Sequence, residues 1–224
     1  MADQRFQRAR SSEAKAQREA DILAAARVLG EQHGIRRVTL TDIADAVGMH
    51  KSALLRYFET REQIFLRLTA EGWREWGPAL RAELDELDST DSPGAGAPGS
   101  VARVVAHSLA IRPLFCDLLA QAPLNLERNV SLDSVLAFKL VTLEEVDGIS
   151  TSLRRLLPEL TESDAVDVIA AATSLSGAFW QMATPGAAVE KLYREDPRLV
   201  HAVVEVEPRV TRILTAQLTG LTGR

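Results

Sequence analysis

The feature that most constrains the fold is the stretch at residues 39–58, TLTDIADAVGMHKSALLRYF, where two short helices and their turn are evident from the side chains. Thr39 is a good N-cap, and Asp42 three residues later can complete a capping box. Apolar residues then recur at helical spacing until Gly48, which supplies the flexible backbone needed to end one helix and reverse the chain. A second helix is predicted over 51–58. Two helices joined in this way form a helix-turn-helix.

The predicted second helix has two chemically different faces. One face can pack against the first helix and consists of Ala53, Leu54, Tyr57 and Phe58. The opposite face consists of Lys51, Ser52, Leu55 and Arg56. An ordinary pair of core helices would expose a mixed, glutamate-rich surface, whereas this face offers hydrogen-bond donors and positive charge. Because the major groove of DNA is wide enough to admit such a helix, the pattern favours DNA binding.

Several short motifs extend this pattern over roughly residues 17–66. They are the capped first helix, the Ile-Ala pair at 43–44, the turn glycine, the Tyr-Phe pair at 57–58 and a basic-acidic pair at 61–62. Together they resemble the DNA-binding domain of TetR-type transcriptional repressors. Two positions depart from that family's pattern. His50 stands where a Ser or Thr commonly caps the recognition helix, and Leu55 stands where a Tyr commonly reaches a phosphate, so these contacts are expected to differ.

The DNA contacts expected from this region divide into base readers and phosphate contacts. Arg56 is expected to read a guanine edge, Lys51 a base or a phosphate, and Ser52 to join them in recognition. The residues expected mainly to hold phosphates are Thr39, Thr41, His50, Tyr57 and Arg61. The Tyr57 side chain could equally be partly buried against the first helix.

Net charge would argue against a nucleic-acid partner if the chain were treated as one object, because the whole chain carries −5. Residues 1–61, however, hold 11 basic and 8 acidic residues, a net charge of +3, which leaves −8 for the remainder. The positive charge therefore lies with the helix-turn-helix, as expected for a DNA-binding domain.

The sequence predicts an arm and two domains. Residues 1–16 are basic and lack apolar periodicity, so they are expected to form a disordered arm that could settle along phosphates or in the minor groove. The helix-turn-helix domain is assigned to 17–61, beginning with a helix over 17–33. The ligand-binding and dimerisation domain is assigned to 62–224.

A long helix over 61–88 is expected to connect the two domains, with a kink or a break close to Pro78. The Gly-, Pro- and Ser-rich stretch at 89–100 predicts a mobile loop after it. Further helices are predicted at 100–111, 113–121, 131–157 and 161–183, with a short turn near 187–193 and a last helix over 196–220. Ser131, Thr161 and Asp196 are the expected caps, and Pro208 is expected to kink or divide the last helix.

The fold class is therefore all-α: a three-helix DNA-binding domain followed by a helical bundle. The resemblance implies a homodimer formed through the last long helices, which would read a pseudo-palindromic operator on double-stranded DNA. The candidate interface residues are Ala170, Thr173, Gly177, Val203, Val210 and Leu214. Periodicity alone leaves open the alternative that these residues belong only to the core of the monomer.

The resemblance also implies a small-molecule effector that binds in the C-terminal bundle and moves the long connecting helix. Residues that could line its pocket are Phe115, Leu119, Phe138, Thr142, Phe179 and Met182. Each of these could instead be ordinary core filler. Cys116, the only cysteine, is expected to be an inert buried thiol.

An enzyme is the rival class. The histidines at 33, 50, 107 and 201 have no metal-ligand spacing, and no phosphate loop or nucleophile motif is present. No metal, cofactor or catalytic residue is therefore expected. With no export signal and no long apolar run, a cytoplasmic protein without a membrane partner is predicted. An activator or an architectural DNA-binding protein would share this fold and stays open as an alternative to a repressor.

Overall fold

The computed structural model describes residues 2–89, 97–202 and 204–224, and these residues form helices and turns with no strand. The all-α prediction is confirmed. The helices are α1 (Ala2–His33), α2 (Leu40–Ala46), α3 (Lys51–Leu54), α4 (Arg61–Ser89), α5 (Pro98–Ala110), α6 (Pro113–Gln121), α7 (Leu132–Leu156), α8 (Glu162–Ala183), α9 (Ala187–Glu195) and α10 (Val206–Thr222). A π-helical turn spans Ala122–Leu126, and a 3-10 helix spans Pro197–Ala202.

The N-terminal helices pack around a small apolar core. Ile22 of α1, Ile43 of α2 and Leu54 of α3 are each fully buried. The first turn of α4 closes this core with Ile64 and Phe65, which are also fully buried. Because α4 belongs to this core and then runs on into the C-terminal bundle, it connects the two parts of the molecule directly.

In the C-terminal bundle α4 packs against α7, α5 against α10, and α6 against α8. An aromatic cluster lies where α4 meets α6: the ring centroids of Trp73 and Trp76 are 5.3 Å apart, and Phe115 lies 5.8 Å from Trp73. Gly72 permits this close approach, because a Cβ at that position would lie 2.3 Å from the Phe115 ring. Trp76 Nε1 donates to Ser108 Oγ at 2.9 Å, so its polar atom is satisfied in the core.

Two predictions about the N-terminal helices are wrong. Helix α1 begins at Ala2, so the predicted disordered arm at 1–16 is helical from residue 2 onward. The segment has many helix-favouring Ala, Arg, Gln and Glu residues and no Pro or Gly, so a formed helix can extend through it at little cost. The second predicted helix, over 51–58, is also shorter as an α-helix, because α3 ends at Leu54 and single helical turns continue the backbone hydrogen bonding to Phe58.

The prolines bear on two of the predicted boundaries. Helix α4 continues through Pro78, so the predicted break is absent there, and a kink stays a prediction. Pro98 begins α5, so residues 98–100 are helical and not part of the predicted loop; residues 90–96 of that loop lie outside the described residues. Proline is favoured in the first helical turn because the amide it lacks has no partner there in any case.

The predicted last helix over 196–220 is two elements in the structure. The 3-10 helix ends at Ala202 and α10 begins at Val206, so the division falls before Pro208, which lies in the first turn of α10. The short turn predicted near 187–193 is the helix α9. By contrast, α6 has its predicted bounds, and Ser131 and Thr161 are confirmed as the N-caps of α7 and α8.

Candidate nucleic-acid interface

A capping box starts α2, as the sequence predicts. The Thr39 amide donates to Asp42 Oδ2 at 2.8 Å, and the Asp42 amide donates to Thr39 Oγ1 at 3.2 Å. The backbone hydrogen bond from Thr39, followed by the one from its hydroxyl, lowers the pKa of Asp42. The carboxylate therefore stays ionised at neutral pH, beside the positive end of the α2 dipole.

The turn between α2 and α3 depends on Gly48. Its φ angle is +64°, in the left-handed region that favours glycine, and an added Cβ would meet nothing within 4 Å. Backbone conformation, and not lack of space, is thus the reason for glycine here. The Met49 amide donates to the Ala44 carbonyl at 2.9 Å, which closes the turn and sets the angle of α3.

Helix α3 presents the predicted recognition face. Leu54 is fully buried and anchors the helix, whereas Lys51, Ser52 and Arg56 are exposed. Leu55 is 45% exposed on the same side. His50 is the N-cap of α3 and makes no side-chain capping bond, in keeping with its departure from the family pattern.

Among the expected phosphate contacts, Thr39, Thr41 and His50 are exposed beside this face. Tyr57 is half-buried and packs against the N-terminal core. Its side chain is therefore partly buried, which was the alternative to a phosphate contact.

Arg61 is the site residue that the structure places elsewhere. Its side chain is only 20% exposed, and its guanidinium donates to the carbonyl oxygens of Val38 and Ile35. It also pairs with Glu62 at 3.0 Å and lies 4.7 Å from the centroid of the Phe65 ring. A guanidinium with these partners joins the α1–α2 turn to α4, and its role as a phosphate contact stays a prediction.

The structure also corrects most of the predicted dimer interface. Thr173, Gly177, Val210 and Leu214 are buried inside the protomer. Val210 and Leu214 lie on α10, whose main partner is α5 of the same chain, and a Cβ on Gly177 would lie 2.9 Å from the Ala120 amide of α6. Helical periodicity identified a buried face correctly but could not tell which neighbour covers it. Ala170 is exposed and stays a prediction, and Val203 lies outside the described residues.

The six predicted pocket residues do not line one cavity. Phe115 is in the aromatic cluster, Phe179 lies beneath the Arg209 guanidinium, and Met182 is 53% exposed. Leu119 is half-buried against the core, and the Thr142 hydroxyl donates to the carbonyl of Phe138. Of the six, Phe138 lines a cleft between α4 and α7, and a ligand site formed by the other five stays a prediction.

The cleft between α4 and α7 has a volume of about 370 Å³. Its apolar wall and its polar rim are formed by Gln63, Leu66, Arg67, Ala70 and Arg74 of α4 and by Asp133, Ser134, Ala137, Phe138 and Val141 of α7. Arg67 and Arg74 are exposed and make no ion pair with another described residue. The cleft thus combines an apolar interior with two exposed cations, Arg67 and Arg74, which lie about two turns apart on α4.

A polar junction beside this cleft joins the end of the helix-turn-helix to the start of α7. Glu59 Oε1 accepts hydrogen bonds from Ser131 Oγ at 2.5 Å and Ser134 Oγ at 3.0 Å. Gln63 Nε2 donates to both Glu59 Oε1 and Ser134 Oγ at 2.9 Å. The hydroxyl of Ser131, followed by that of Ser134, lowers the pKa of Glu59, so the junction is ionic at neutral pH.

A second junction lies at α6. The buried Asp117 carboxylate accepts from the Ile35 amide at 2.9 Å and from Gln181 Nε2 of α8 at 2.7 Å. Neither junction was predicted from the sequence. The partners are 72 and 82 residues apart, so no local pattern could reveal them.

A helix-turn-helix with an exposed basic helix, attached by a long helix to a larger bundle, defines a DNA-binding regulator. Two family models divide the chain between them. Residues 22–68 match the model described as bacterial regulatory proteins of the tetR family, and residues 70–224 match the model described as tetracyclin repressor-like, C-terminal domain. The chain belongs to the TetR family of transcriptional regulators. A search of curated proteins finds no match.

Solved structures show the same fold. The fatty acid degradation regulator FadR from Bacillus halodurans has a TM-score of 0.54 and 13% identity, with 90% of this chain and 97% of that chain covered. A TetR-family transcriptional regulator from Mesorhizobium loti has a TM-score of 0.53 and 14% identity, with 93% and 96% covered. At these identities the likeness concerns the fold alone.

Two further findings bear on the predicted absences. No three His, Cys, Asp or Glu side chains in the part of the chain that the structure describes are grouped so that they could hold a metal ion. In the same residues no single helix is long and apolar enough to cross a membrane; α5 and the segment after it reach that length only together, across an 89° bend.

Proposed function

We propose that this regulator is a cytoplasmic repressor that binds a pseudo-palindromic operator as a homodimer and is released from it by an amphipathic anion. The observation that carries the proposal is the exposed face of α3 and of the turn that follows it, with Lys51, Ser52 and Arg56 all exposed. A short helix held this way can enter a major groove without rearrangement of the domain.

Within this interface Arg56 is assigned to a base edge and Lys51 to a base or a phosphate. In-vitro selection of bound DNA would give the operator. Arg56→Ala should then relax base preference at one position of each half-site, with about 1–3 kcal/mol of discrimination lost there. An unchanged base preference would contradict the assignment. Thr41→Ala, at an exposed position assigned to phosphate, is the matched control and should weaken all sequences alike.

Dimerisation is assigned to the outer faces of α8 and α10. The small residues Ala170, Ser174 and Ala178 are exposed at four-residue spacing on α8, which supports close approach of a second helix. A two-fold dimer would place two recognition helices about 34 Å apart, one turn of DNA. Ser174→Arg should shift the protein to monomers in sedimentation experiments and reduce operator affinity, whereas Arg103→Ala on α5 should change neither.

The effector site is assigned to the cleft between α4 and α7. Leu66, Phe138 and Val141 offer an apolar wall, and Arg67 and Arg74 offer cations at its rim. This combination suits a ligand with an apolar body and a carboxylate or similar anionic group. The volume of about 370 Å³ lies within the range of small-ligand sites.

Release from the operator is assigned to the neighbouring junction. Gln63 and Ser134 line the cleft and also hold Glu59, which lies directly after the recognition region. A ligand that takes a hydrogen bond from Gln63 or Ser134 competes with Glu59 for it. Such a ligand would therefore favour a different position of α4 relative to α7, and with it a different spacing of the two recognition helices.

Decanoate and 2-naphthoate are suitable probes, with decanol and 2-naphthol as controls that lack the anionic group. The acids should raise the melting temperature and release the operator, whereas the alcohols should do so weakly. Arg67→Gln should remove the difference between acid and alcohol. Equal effects of acids and alcohols on the wild-type protein would contradict an anionic ligand, and no effect of either would contradict an amphipathic one.

Repression itself is tested by a reporter fused to the promoter next to the selected operator. Expression should rise when the gene for the regulator is deleted. A fall in expression would show an activator, and no change at any bound promoter would favour an architectural role.

A further inference from the structure

Helix α7 carries an unusual exposed surface, here termed the leucine stripe: Leu132, Leu136, Leu140 and Leu143. These side chains are 85%, 58%, 57% and 66% exposed. Their spacing of four, four and three residues places them on one side of the helix, away from Phe138 and Val141, which face α4. Four leucines exposed to this degree leave a patch on the order of several hundred Å², the size that usually marks an interaction site on a soluble protein.

Helix α9 is a second element without an adequate partner. None of its residues is buried, and Val189 and Leu192, one turn apart, are 41% and 51% exposed. Its main packing partner among the described residues is the 3-10 helix that follows it. The apolar side chains of α9 share one side, and the charged Glu190, Lys191 and Arg194 lie around the rest. An amphipathic helix of this kind requires an apolar surface to cover its apolar side.

The stripe and α9 lie near the same end of the molecule. The hydrogen bond from Ser131 to Glu59 holds the start of α7 against the helix-turn-helix domain. The hydrogen bonds of Asp117 to Ile35 and to Gln181 hold the end of α8 at that domain as well. Helix α9 begins at Ala187, shortly after the end of α8. Both surfaces are therefore near the DNA-binding domain, yet among the described residues α9 and α7 of one chain make no extensive contact.

We propose that α9 of one protomer packs on the leucine stripe of the other, so that each subunit clasps its partner. The inference rests on the proposed dimer through α8 and α10, and it extends that interface. Helix α9 follows α8 directly, so a dimer formed through α8 brings each α9 towards the other subunit, and two-fold symmetry produces the contact twice.

Charge favours the same pairing. Glu144 and Asp147 lie on the flank of the leucine stripe, are exposed and make no side-chain ion pair with another described residue. Lys191 and Arg194 of α9 can reach such carboxylates in a partner, because each is exposed and held only by an ion pair along its own helix. Surface pairs of this kind contribute little affinity but select register and partner.

The clasp would also connect the interface to the effector cleft, since α7 contributes one side to each. Phe138 and Val141 line the cleft, whereas Leu136 and Leu140 belong to the stripe on the other side of the same helix. A ligand that shifts α7 would thus also move the leucine stripe and change its contact with α9 of the other subunit.

Cysteine cross-linking tests the clasp in the full-length protein. Leu136→Cys and Leu192→Cys are made in separate chains, both at exposed positions, so that folding is preserved. After equal amounts of the two proteins are mixed and allowed to exchange subunits, a short bismaleimide should join the mixed dimers, about half of all dimers, into covalent dimers. The native Cys116 does not interfere, because it is fully buried. Arg103→Cys in place of Leu136→Cys is the matched control and should give no covalent dimer.

The outcomes separate the clasp from the dimer on which it rests. Molecular mass is first measured without cross-linker: a monomer would overturn the proposed dimer and the clasp together. A dimer that yields no more covalent product than the Arg103→Cys control would overturn the clasp alone. A chain carrying both Leu136→Cys and Leu192→Cys that cross-links only within itself would also overturn it, because α9 would then cover the stripe of its own chain.

Discussion

Replacing Arg61 by alanine distinguishes a residue that holds the DNA-binding domain together from one that holds DNA. The guanidinium donates to the carbonyls of Ile35 and Val38 and lies against the Phe65 ring. A hydrogen bond from a charged donor contributes about 1.5–3 kcal/mol, and an exposed cation–π contact adds about 0.5–1 kcal/mol. Because the side chain is 20% exposed, water can replace part of these bonds, so we expect a loss near the low end, about 3 kcal/mol.

The loss is measured by thermal unfolding followed by circular dichroism, with amide hydrogen exchange to locate it. For a chain of this size about 2–4 °C is expected per kcal/mol, which gives a fall of roughly 6–12 °C. Exchange should accelerate most in α1, α2 and the turn between them. Arg61→Lys should recover little of the stability, because an ammonium cannot reproduce the two-pronged contact of a guanidinium.

Arg56→Ala is the control for this experiment, since Arg56 is exposed and shares no hydrogen bond or ion pair with another described side chain. It should melt within about 0.5 kcal/mol of the wild type and yet bind DNA differently. If Arg61→Ala instead melted like the wild type and lowered the salt dependence of operator binding by about one unit, Arg61 would be a phosphate contact after all.

Three further outcomes follow from the packing and the titrating groups. Burial raises the pKa of the Cys116 thiol to about 12, so a thiol reagent at pH 8 should modify it only after unfolding. Gly177→Ala should lower stability by about 1–3 kcal/mol in urea unfolding because of its contact with α6, whereas Gly99→Ala, whose new Cβ meets only a methyl at 3.7 Å, should be nearly neutral. The hydrogen bonds from Ser131 lower the pKa of Glu59, so its stabilising contribution is present above the ordinary value of 4.5 and is lost as the pH falls through the lower folded-state pKa. The stability difference between the wild type and Glu59→Gln should therefore be present at pH 7 and shrink at pH 3, and a difference that does not depend on pH would show that ionisation is not what holds the junction.

Much of the helix-turn-helix could be predicted from the sequence because its determinants are local. The Thr39–Asp42 capping box and the positive φ of Gly48 each involve residues within one turn of each other. The same holds for the amphipathic pattern that exposes Lys51 and Arg56 and buries Leu54. Such interactions do not depend on what the rest of the chain does, so residue types and spacing are enough to identify them.

Other features depended on partners distant in the sequence. Periodicity marked Val210 and Leu214 as a buried face, but only the packed bundle assigned that face to α5 of the same chain and left the leucine stripe of α7 uncovered. The guanidinium of Arg61 suited a phosphate in the sequence, but in the folded domain it donates to backbone carbonyls more than 20 residues away. Glu59 and Ser131 are 72 residues apart. Sequence alone thus determined most of the helical segments, the connecting helix and the candidate DNA-binding face. Only the tertiary structure decided which hydrogen bonds hold the DNA-binding domain against the bundle beside α4, because the partners in those bonds meet only once the helices have packed.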